Sequence, residues 1–389
     1  MATASRSPAR AARPAAARPE AAAAPTGAAL GLPGGRLPAW LDAAFARAQG
    51  LGELPALLIH GPAGVGSYEL AVALAAAALC ETAPGPARPA GRACGHCPGC
   101  QTLRAGTHPD LLLLLPEALQ GELGWGSGEE ADAAPPAEDG GGKSSRKPSR
   151  EIRVEALRRA VAFAQQTSSR GGAKVVLVHP AERMNAVAAN TLLKTLEEPP
   201  PRFRFLLSSA APQRLLPTVR SRCRSLRLGL PPADQAQAWL ETQGQSPEAA
   251  GLLLAAAGGA PFEALGRAGQ GLDATLWREL PAEVRAGRSA RLAELPLPLL
   301  IDALLKLCHD RMCRVLGAAP RFFPADSLGP AGGSPQALRV LSDWARSLRR
   351  EARQAEHPWH AALALEALLA EGRRALADAA APPPLNSRS

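Results

Sequence analysis

The stretch "HGPAGVGSYELA" (His60 to Ala71) has the outline of a phosphate-binding loop that opens a helix. The apolar run "LPALLIH" before it predicts a short buried strand, and the alanine-rich segment after it is typical of a helix. A strand, a glycine loop and a helix in this order can bind phosphate, because backbone N–H groups at a helix N-terminus attract anions. The loop glycines are Gly61, Gly64 and Gly66. Alone, this pattern also fits an ordinary strand-to-helix turn.

The loop lacks the side chains that a bound nucleotide requires. Ser67 stands where a lysine would neutralise the terminal phosphates, and Tyr68 stands where a short hydroxyl would bind magnesium. After a second apolar run, "KVVLV", the chain has His179 and Pro180 instead of the acidic residues that hold magnesium. Glu182 comes too late to take that place and is interpreted as a helix-start residue. We therefore expect this chain neither to bind nor to hydrolyse ATP.

A cluster of four cysteines with two consecutive Cys-x-x-Cys steps forms the next pattern. Four thiolates complete the tetrahedral shell of a structural zinc ion and leave no open position for catalysis. Gly95 and Gly99 favour the turns that direct such sulfurs at one ion, and His96 is the nearby substitute ligand. Unpaired thiols or a redox pair are the alternative. The predicted ligands are Cys80, Cys94, Cys97 and Cys100.

Composition limits the class of protein and its compartment. With 389 residues, 46% of them apolar, the chain can form two or three domains, and no apolar run reaches the roughly 18 residues of a membrane span. We expect a cytoplasmic protein without a secretory signal, in which cysteines bind metal or stay free. Residues 1–36 are predicted to be a disordered tail, with an organellar transit peptide as the alternative. The net charge of +9 is compatible with a nucleic-acid partner but does not establish one.

Strands that alternate with helices predict a parallel α/β sheet up to Pro232, followed by an all-helical remainder. Residues 120–150 are rich in Gly, Ser, Glu and Lys and are predicted to be an unstructured insertion. A long loop is expected between Pro320 and Pro335, and a second disordered tail over residues 379–389. The other cysteines, Cys223, Cys308 and Cys313, are predicted to be core or surface thiols.

The ordered series of motifs resembles the delta-prime subunits of the bacterial DNA polymerase III clamp loader, an AAA+ family. The segments are "LLIHGPAGVG", the cysteine cluster, "GTHPDLLLL", "IRVEALRRAVAF", "KVVLVHPAERMNAVAANTLLKTLEEPP" and "FLLSSAAPQRLLPTVRSRC". The resemblance is close from Leu37 to Pro232 and looser beyond. It implies an AAA+ α/β domain over 37–230 with an inserted zinc module at 80–100. A small helical lid would follow over 231–272, and a helical collar over 273–378 would join the subunits of a pentameric ring.

The resemblance also implies partners and a division of labour. Such a subunit forms a hetero-oligomer with gamma/tau motor subunits and the delta subunit, and the complex loads the sliding clamp onto primed DNA. Delta-prime subunits act as stationary members of a DNA-directed DNA polymerase holoenzyme, so no catalysis is expected in this chain alone.

The triplet "SRC" (Ser221, Arg222 and Cys223) carries the main functional expectation. The resemblance implies that Arg222 is a finger that projects into the ATP site of an adjacent motor subunit. A guanidinium suits this role because it stays charged and can bridge oxygens during phosphoryl transfer. Without the resemblance, Arg220, Arg222 and Arg224 would be interpreted as a solvated basic face.

The same register places the phosphate-sensing position of ATP-using relatives at Ala210, beside Ser209. An alanine cannot sense a phosphate, which again favours an empty nucleotide site. Lys194, Glu197 and Glu198 match the family segment, and subunit contact and helix capping both remain open for them.

Two other functions remain as alternatives. The first is an ATP-hydrolysing motor subunit of the gamma/tau type in the same ring. The second is a zinc-bearing nucleic-acid-binding protein, although the cysteine cluster offers few phosphate contacts, Arg92 and His96 among them.

Overall fold

The computed structural model describes residues 31–52, 54–83, 85, 88–125, 148–329, 335–354 and 361–380. Most of the predicted N-terminal tail, most of the insertion predicted at 120–150, and residues 381–389 of the C-terminal tail predicted at 379–389 lie outside the described residues. Ala379 is buried and belongs to the helix Ala361–Ala380, so ordered chain extends into the predicted C-terminal tail.

In the described part of the chain, five parallel strands form one sheet in the order β2-β3-β4-β1-β5. The strands β1, β3 and β4 at its centre are almost entirely buried, as expected for a parallel sheet that is covered on both faces. This confirms the predicted parallel α/β architecture. The strand bounds are β1 (Ala56–His60), β2 (Leu111–Leu114), β3 (Lys174–Val178), β4 (Phe203–Ser209) and β5 (Arg224–Arg227).

Helices cover both faces of the sheet, because successive strand residues point to opposite sides. Ile59 of β1 packs with the helices α1 and α2, whereas Leu58 packs with α5, α6 and α7. The short helix α3 follows the cysteine cluster and packs on α2, and α4 follows β2. The bounds are α1 (Ala39–Gly50), α2 (Ser67–Leu79), α3 (Pro98–Arg104), α4 (Glu117–Gln120), α5 (Val154–Gln165), α6 (Ala186–Glu197) and α7 (Pro217–Arg222).

Three short helices after the sheet form a small core of their own. They are α8 (Ala233–Thr242), α9 (Pro247–Ala256) and α10 (Pro261–Gly269). The Trp239 ring lies 4.7 Å from the Phe262 ring and 5.9 Å from the Trp40 ring of α1, measured between centroids. This aromatic cluster therefore holds the three helices against the α/β domain.

The last four described helices share a larger apolar core that includes Trp277 and Trp344. They are α11 (Ala274–Ala286), α12 (Leu297–Val315), α13 (Pro335–Gln354) and α14 (Ala361–Ala380). Helix α10 is tied to this group, since Arg267 Nη1 donates to Asp302 Oδ2 at 2.6 Å. The predicted all-helical C-terminal region is confirmed.

Some boundaries differ from the sequence predictions. Gln120 belongs to α4, and Leu123 and Trp125 pack against the core, so ordered chain extends into the insertion predicted to begin at 120. Leu32 also packs against the core, within the tail predicted to reach residue 36. Apolar contacts with the core set the boundary of the tail and that of the insertion, and residue composition alone did not predict these contacts.

Among the described residues, no single helix has both the length and the apolar character to cross a membrane. Helices α9 and α10 meet that test only when taken together, and they are bent by 101° relative to each other.

Candidate functional site

The glycine loop between β1 and α2 is tightly packed against the chain's own helices. Gly64 and Gly66 have φ of 73° and 101°, in the left-handed region that favours glycine. The Phe262 backbone N–H donates to the Gly64 carbonyl at 3.0 Å, and Trp40 Nε1 donates to the Val65 carbonyl at 3.0 Å. Two carbonyl groups of the loop are therefore hydrogen-bonded within the chain, one to the start of α10 and the other to the Trp40 side chain of α1.

Little space remains around the loop glycines. A Cβ atom placed on Gly66 would lie 2.5 Å from Leu41 Cδ1 and 2.9 Å from Phe262 Cε2. A Cβ atom on Gly64 would lie 2.6 Å from the Glu263 backbone nitrogen. The first turn of α10 therefore lies directly on the loop.

Tyr68 and His179 form an aromatic pair behind the loop, where the sequence predicted the loss of magnesium ligands, and His179 is half-buried. Their ring centroids are 4.5 Å apart, and Tyr68 is 3% exposed. His179 Nδ1 lies 2.8 Å from Ser208 Oγ of β4. Burial raises the pKa of Tyr68 above its usual value and lowers the pKa of His179 to about 4, so both rings are neutral at pH 7.

The segment after β4 makes a hydrogen bond to Glu182 that the sequence did not predict. Glu182 lies in the short 3₁₀ turn Ala181–Arg183, in keeping with its interpretation as a helix-start residue. Its Oε1 accepts a hydrogen bond from the Ala210 backbone N–H at 3.0 Å, while Ser209 Oγ accepts from the Ala211 N–H at 3.2 Å. Ala210 thus meets a carboxylate of its own chain, and no local sequence signal linked the two.

Arg222 is the last residue of α7 and is half-buried. Its Nε donates to Glu197 Oε1 at 2.8 Å, its Nη2 contacts the same oxygen, and its Nη1 donates to the Thr218 carbonyl at 2.8 Å. Its sequence neighbours Arg220 and Arg224 are exposed. The three arginines therefore do not form a uniform solvated face.

Helix α7 lies on the sheet face opposite the chain's own glycine loop. Val219 of α7 belongs to the apolar cluster that contains Leu58 and Leu207, whereas Tyr68 belongs to the cluster on the other face. The sheet thus separates the helix that carries Arg222 from the helix that begins at the loop.

The other two residues of the triplet differ in exposure, since Ser221 is exposed and Cys223 is half-buried. Ser221 Oγ donates to the Thr218 carbonyl at 3.1 Å. Cys223 packs partly against the core, and burial raises the pKa of its thiol to about 12. The thiol therefore stays protonated and is a poor nucleophile.

The four predicted cysteine ligands come together and can hold a metal ion. All four Sγ atoms lie within 4.8 Å of one another. The Sγ atoms of Cys80 and Cys97 are 4.0 Å apart, and those of Cys94 and Cys100 are 3.9 Å apart. A tetrahedral ion with about 2.3 Å metal–sulfur bonds requires sulfurs about 3.8 Å apart, so the donor set fits.

Hydrogen bonds to sulfur support the same arrangement. Burial opposes ionisation of Cys94, but hydrogen bonds from Thr82 and from the His96 and Cys97 backbone lower its pKa to about 5. Gly95 turns the chain with φ of 82°, as predicted, whereas Gly99 lies inside α3 against the Leu79 carbonyl and makes no turn.

The substitute ligand and the remaining thiols lie outside this group. His96 Nδ1 is 2.9 Å from the Cys94 carbonyl oxygen, and its ring is not among the four clustered ligands. Cys308 is buried, and Cys313 is half-buried with its sulfur 3.8 Å from His309 Nδ1. Both fit the prediction of core or surface thiols.

The chain is similar to known proteins over most of its length. Residues 48–231 match the family model described as DNA polymerase III, delta subunit. DNA polymerase III subunit delta' of Pseudomonas aeruginosa is 38% identical over 341 residues, which cover 81% of this chain and 90% of that protein.

Other relatives match over shorter lengths. The delta' subunit of Escherichia coli K12 is 38% identical over 54% of this chain and 53% of its own length. A gamma-subunit-related protein of DNA polymerase III from Thermotoga maritima has a solved structure with a TM-score of 0.41 and 19% identity, covering 86% of this chain and 99% of that one. The extent and identity of the Pseudomonas match decide the assignment: the chain belongs to the family of delta-prime subunits of DNA polymerase III.

Proposed function

We propose that this clamp-loader subunit binds no ATP of its own and donates Arg222 to the ATP site of an adjacent gamma/tau motor subunit. The observation that carries the proposal is the position of Arg222, on the sheet face opposite the chain's own loop helix. The sheet lies between this guanidinium and the chain's own loop helix, so we assign the phosphate that it contacts to another chain. It would stabilise the charge that develops during phosphoryl transfer and so promote loading of the sliding clamp onto primed DNA.

Absence of ATP binding is supported by what occupies the loop. Ser67 brings no charge, the neutral Tyr68–His179 pair fills the space behind the loop, and Phe262 covers its glycines. A triphosphate on this loop would gain neither the usual lysine contact nor the usual magnesium contact. The chain itself therefore carries out no catalysis.

The domain boundaries are proposed on the same grounds. Residues 37–230 form the AAA+ α/β domain, 231–272 the lid and 273–378 the collar that binds the delta and motor subunits. Largely separate apolar cores in the sheet region, in α8–α10 and in α11–α14 support this division, and Ala256 and Leu272 of the lid pack into the C-terminal core.

The metal is proposed to be a structural zinc ion held by the four clustered cysteines. Metal analysis of the purified chain should give about one zinc per chain, and Cys94→Ser should lower that ratio at least twofold. Cys223→Ser, which changes a cysteine outside the cluster, is the matched control and should keep the full ratio. Zinc retained in the Cys94 variant would contradict the assignment.

Reconstitution of the ring with an Arg222→Ala subunit tests the finger. Trans-acting arginine fingers contribute about 10³- to 10⁵-fold to kcat, so hydrolysis at the adjacent motor subunit should nearly cease and clamp loading should fall. Arg220→Ala is the control, because this exposed arginine lies on the same helix. Wild-type ATPase and loading rates with Arg222→Ala would reject the finger.

Equilibrium binding of labelled ATP to the isolated chain separates this function from that of a motor subunit. We expect no saturable binding at micromolar concentrations. Micromolar affinity that is abolished by a change at Gly66 would instead favour the motor alternative.

A further inference from the structure

Every nitrogen of the Arg222 guanidinium already has a partner in this chain. Nε and Nη2 both contact Glu197 Oε1, and Nη1 contacts the Thr218 carbonyl. A guanidinium has five N–H groups, and these contacts use three of them. One N–H on Nη1 and one on Nη2 therefore remain for another acceptor, apart from the Ser221 Oγ that lies 3.5 Å from Nη1.

Glu197 comes from a different element of the fold. It is the last residue of α6, which ends as the chain enters Pro199, and it lies 25 positions before Arg222. Helices α6 and α7 pack against each other on the same face of the sheet. The contact therefore fixes the arginine relative to the sheet, and not only relative to its own short helix.

A glutamate at position 197 is not explained by a gain in stability, either of helix α6 or of the ion pair with Arg222. A negative charge at a helix C-terminus interacts unfavourably with the helix dipole. The pair is partly exposed, with 30% of the Arg222 side chain and 49% of the Glu197 side chain accessible, and such pairs add little to stability. The geometry of the pair is a better explanation than its energy.

We propose that Glu197 is a positioning residue for Arg222, holding the guanidinium by Nε and Nη2 so that its remaining N–H groups meet the phosphates of the adjacent subunit. This inference rests on the proposed function and extends it to a second residue. A side chain ordered before the ring forms loses less conformational entropy when it meets the transition state. Glu197 itself touches no substrate.

The test uses reconstituted rings in which only the motor subunit beside this chain can hydrolyse ATP. Glu197→Ala should lower kcat about tenfold and leave KM for ATP nearly unchanged, since the finger acts in the transition state and a shift of about 1 Å costs up to about 100-fold. Glu197→Gln keeps an oxygen acceptor and should retain more activity than Glu197→Ala. Glu198→Ala, at the neighbouring exposed glutamate, is the control and should match wild type.

A double-substitution cycle distinguishes positioning from a general structural role. In an Arg222→Ala ring, Glu197→Ala should have no further effect on kcat. An equal loss in that background, or a wild-type kcat for Glu197→Ala beside a low kcat for Arg222→Ala, would overturn the positioning role and leave the finger intact. A wild-type kcat for Arg222→Ala would reject the finger itself.

Discussion

The glycine loop has lost the positive charge of a phosphate-binding loop, whereas the last turn of α7 carries one. At the loop, a serine replaces the cation, and two neutral rings occupy the space behind it. At α7, a charged guanidinium stays partly accessible and is oriented by a carboxylate. The comparison teaches that a phosphate-handling fold can lose the charge of its own loop by packing over it, while the arginine that we propose to serve another chain stays partly accessible.

The largest expected effect concerns Arg222. Arg222→Lys keeps the charge but loses the planar fork that contacts Glu197 and phosphate together, so hydrolysis at the adjacent site should fall at least about 100-fold. The free energy of unfolding should change by less than about 1 kcal/mol, because the ion pair is partly exposed. Steady-state ATPase of the reconstituted ring and urea unfolding of the chain measure the two quantities. Full activity of the lysine variant would show that charge alone suffices.

Tyr68 should show the reverse behaviour. Tyr68→Ala removes a buried ring that packs on His179, and loss of a buried aromatic side chain costs about 3–5 kcal/mol. Urea denaturation should reveal this loss, whereas the ATPase of rings built with the folded variant should stay near wild type. Ser67→Ala is the control and should be nearly neutral. A selective loss of ATPase in stable Tyr68→Ala rings would contradict the purely structural role of the loop.

A smaller effect is expected for Gly66→Ala. The new methyl group would clash with Leu41 and Phe262 at a residue whose φ is 101°, and overpacking of this kind costs about 1–3 kcal/mol. Gly229→Ala, where a Cβ atom meets nothing within 4 Å, serves as the comparison. Thermal unfolding of both variants measures the difference. Equal midpoints would mean that α10 does not lie on the loop in solution.

The smallest effect is a pH dependence. His179 has a pKa of about 4 when folded, against 6.5 as an unperturbed histidine, so the unfolded state binds more protons between these values. Stability is therefore lost as pH falls through this window, by about 2 kcal/mol at about pH 5.

Comparison of wild type with His179→Gln isolates this contribution. Other groups cancel in the difference, including Glu69, whose pKa burial raises to about 7. Urea unfolding at about pH 5 and pH 8 should favour the variant by about 2 kcal/mol more at the lower pH. A difference in unfolding free energy that does not change with pH would mean that the fold does not lower the pKa of His179.

Local patterns predicted much of the fold and only part of the site. Apolar runs located all five strands, and the Cys-x-x-Cys spacing located the four clustered sulfurs, because both signals depend on neighbours in sequence. The pairing of Arg222 with Glu197 and the ring contact of Tyr68 with His179 join distant segments. Such contacts follow from strand order and helix packing, which periodicity does not encode.

The anchoring of α10 has a mechanical consequence. One end of this helix is bonded to the glycine loop through Phe262, and the other end is bonded to α12 through Arg267 and Asp302. Rotation of α10 would have to break both attachments and open the aromatic cluster around Trp239. Movement of the sheet relative to the C-terminal helices would therefore have to break several contacts at once, so the two regions should move together.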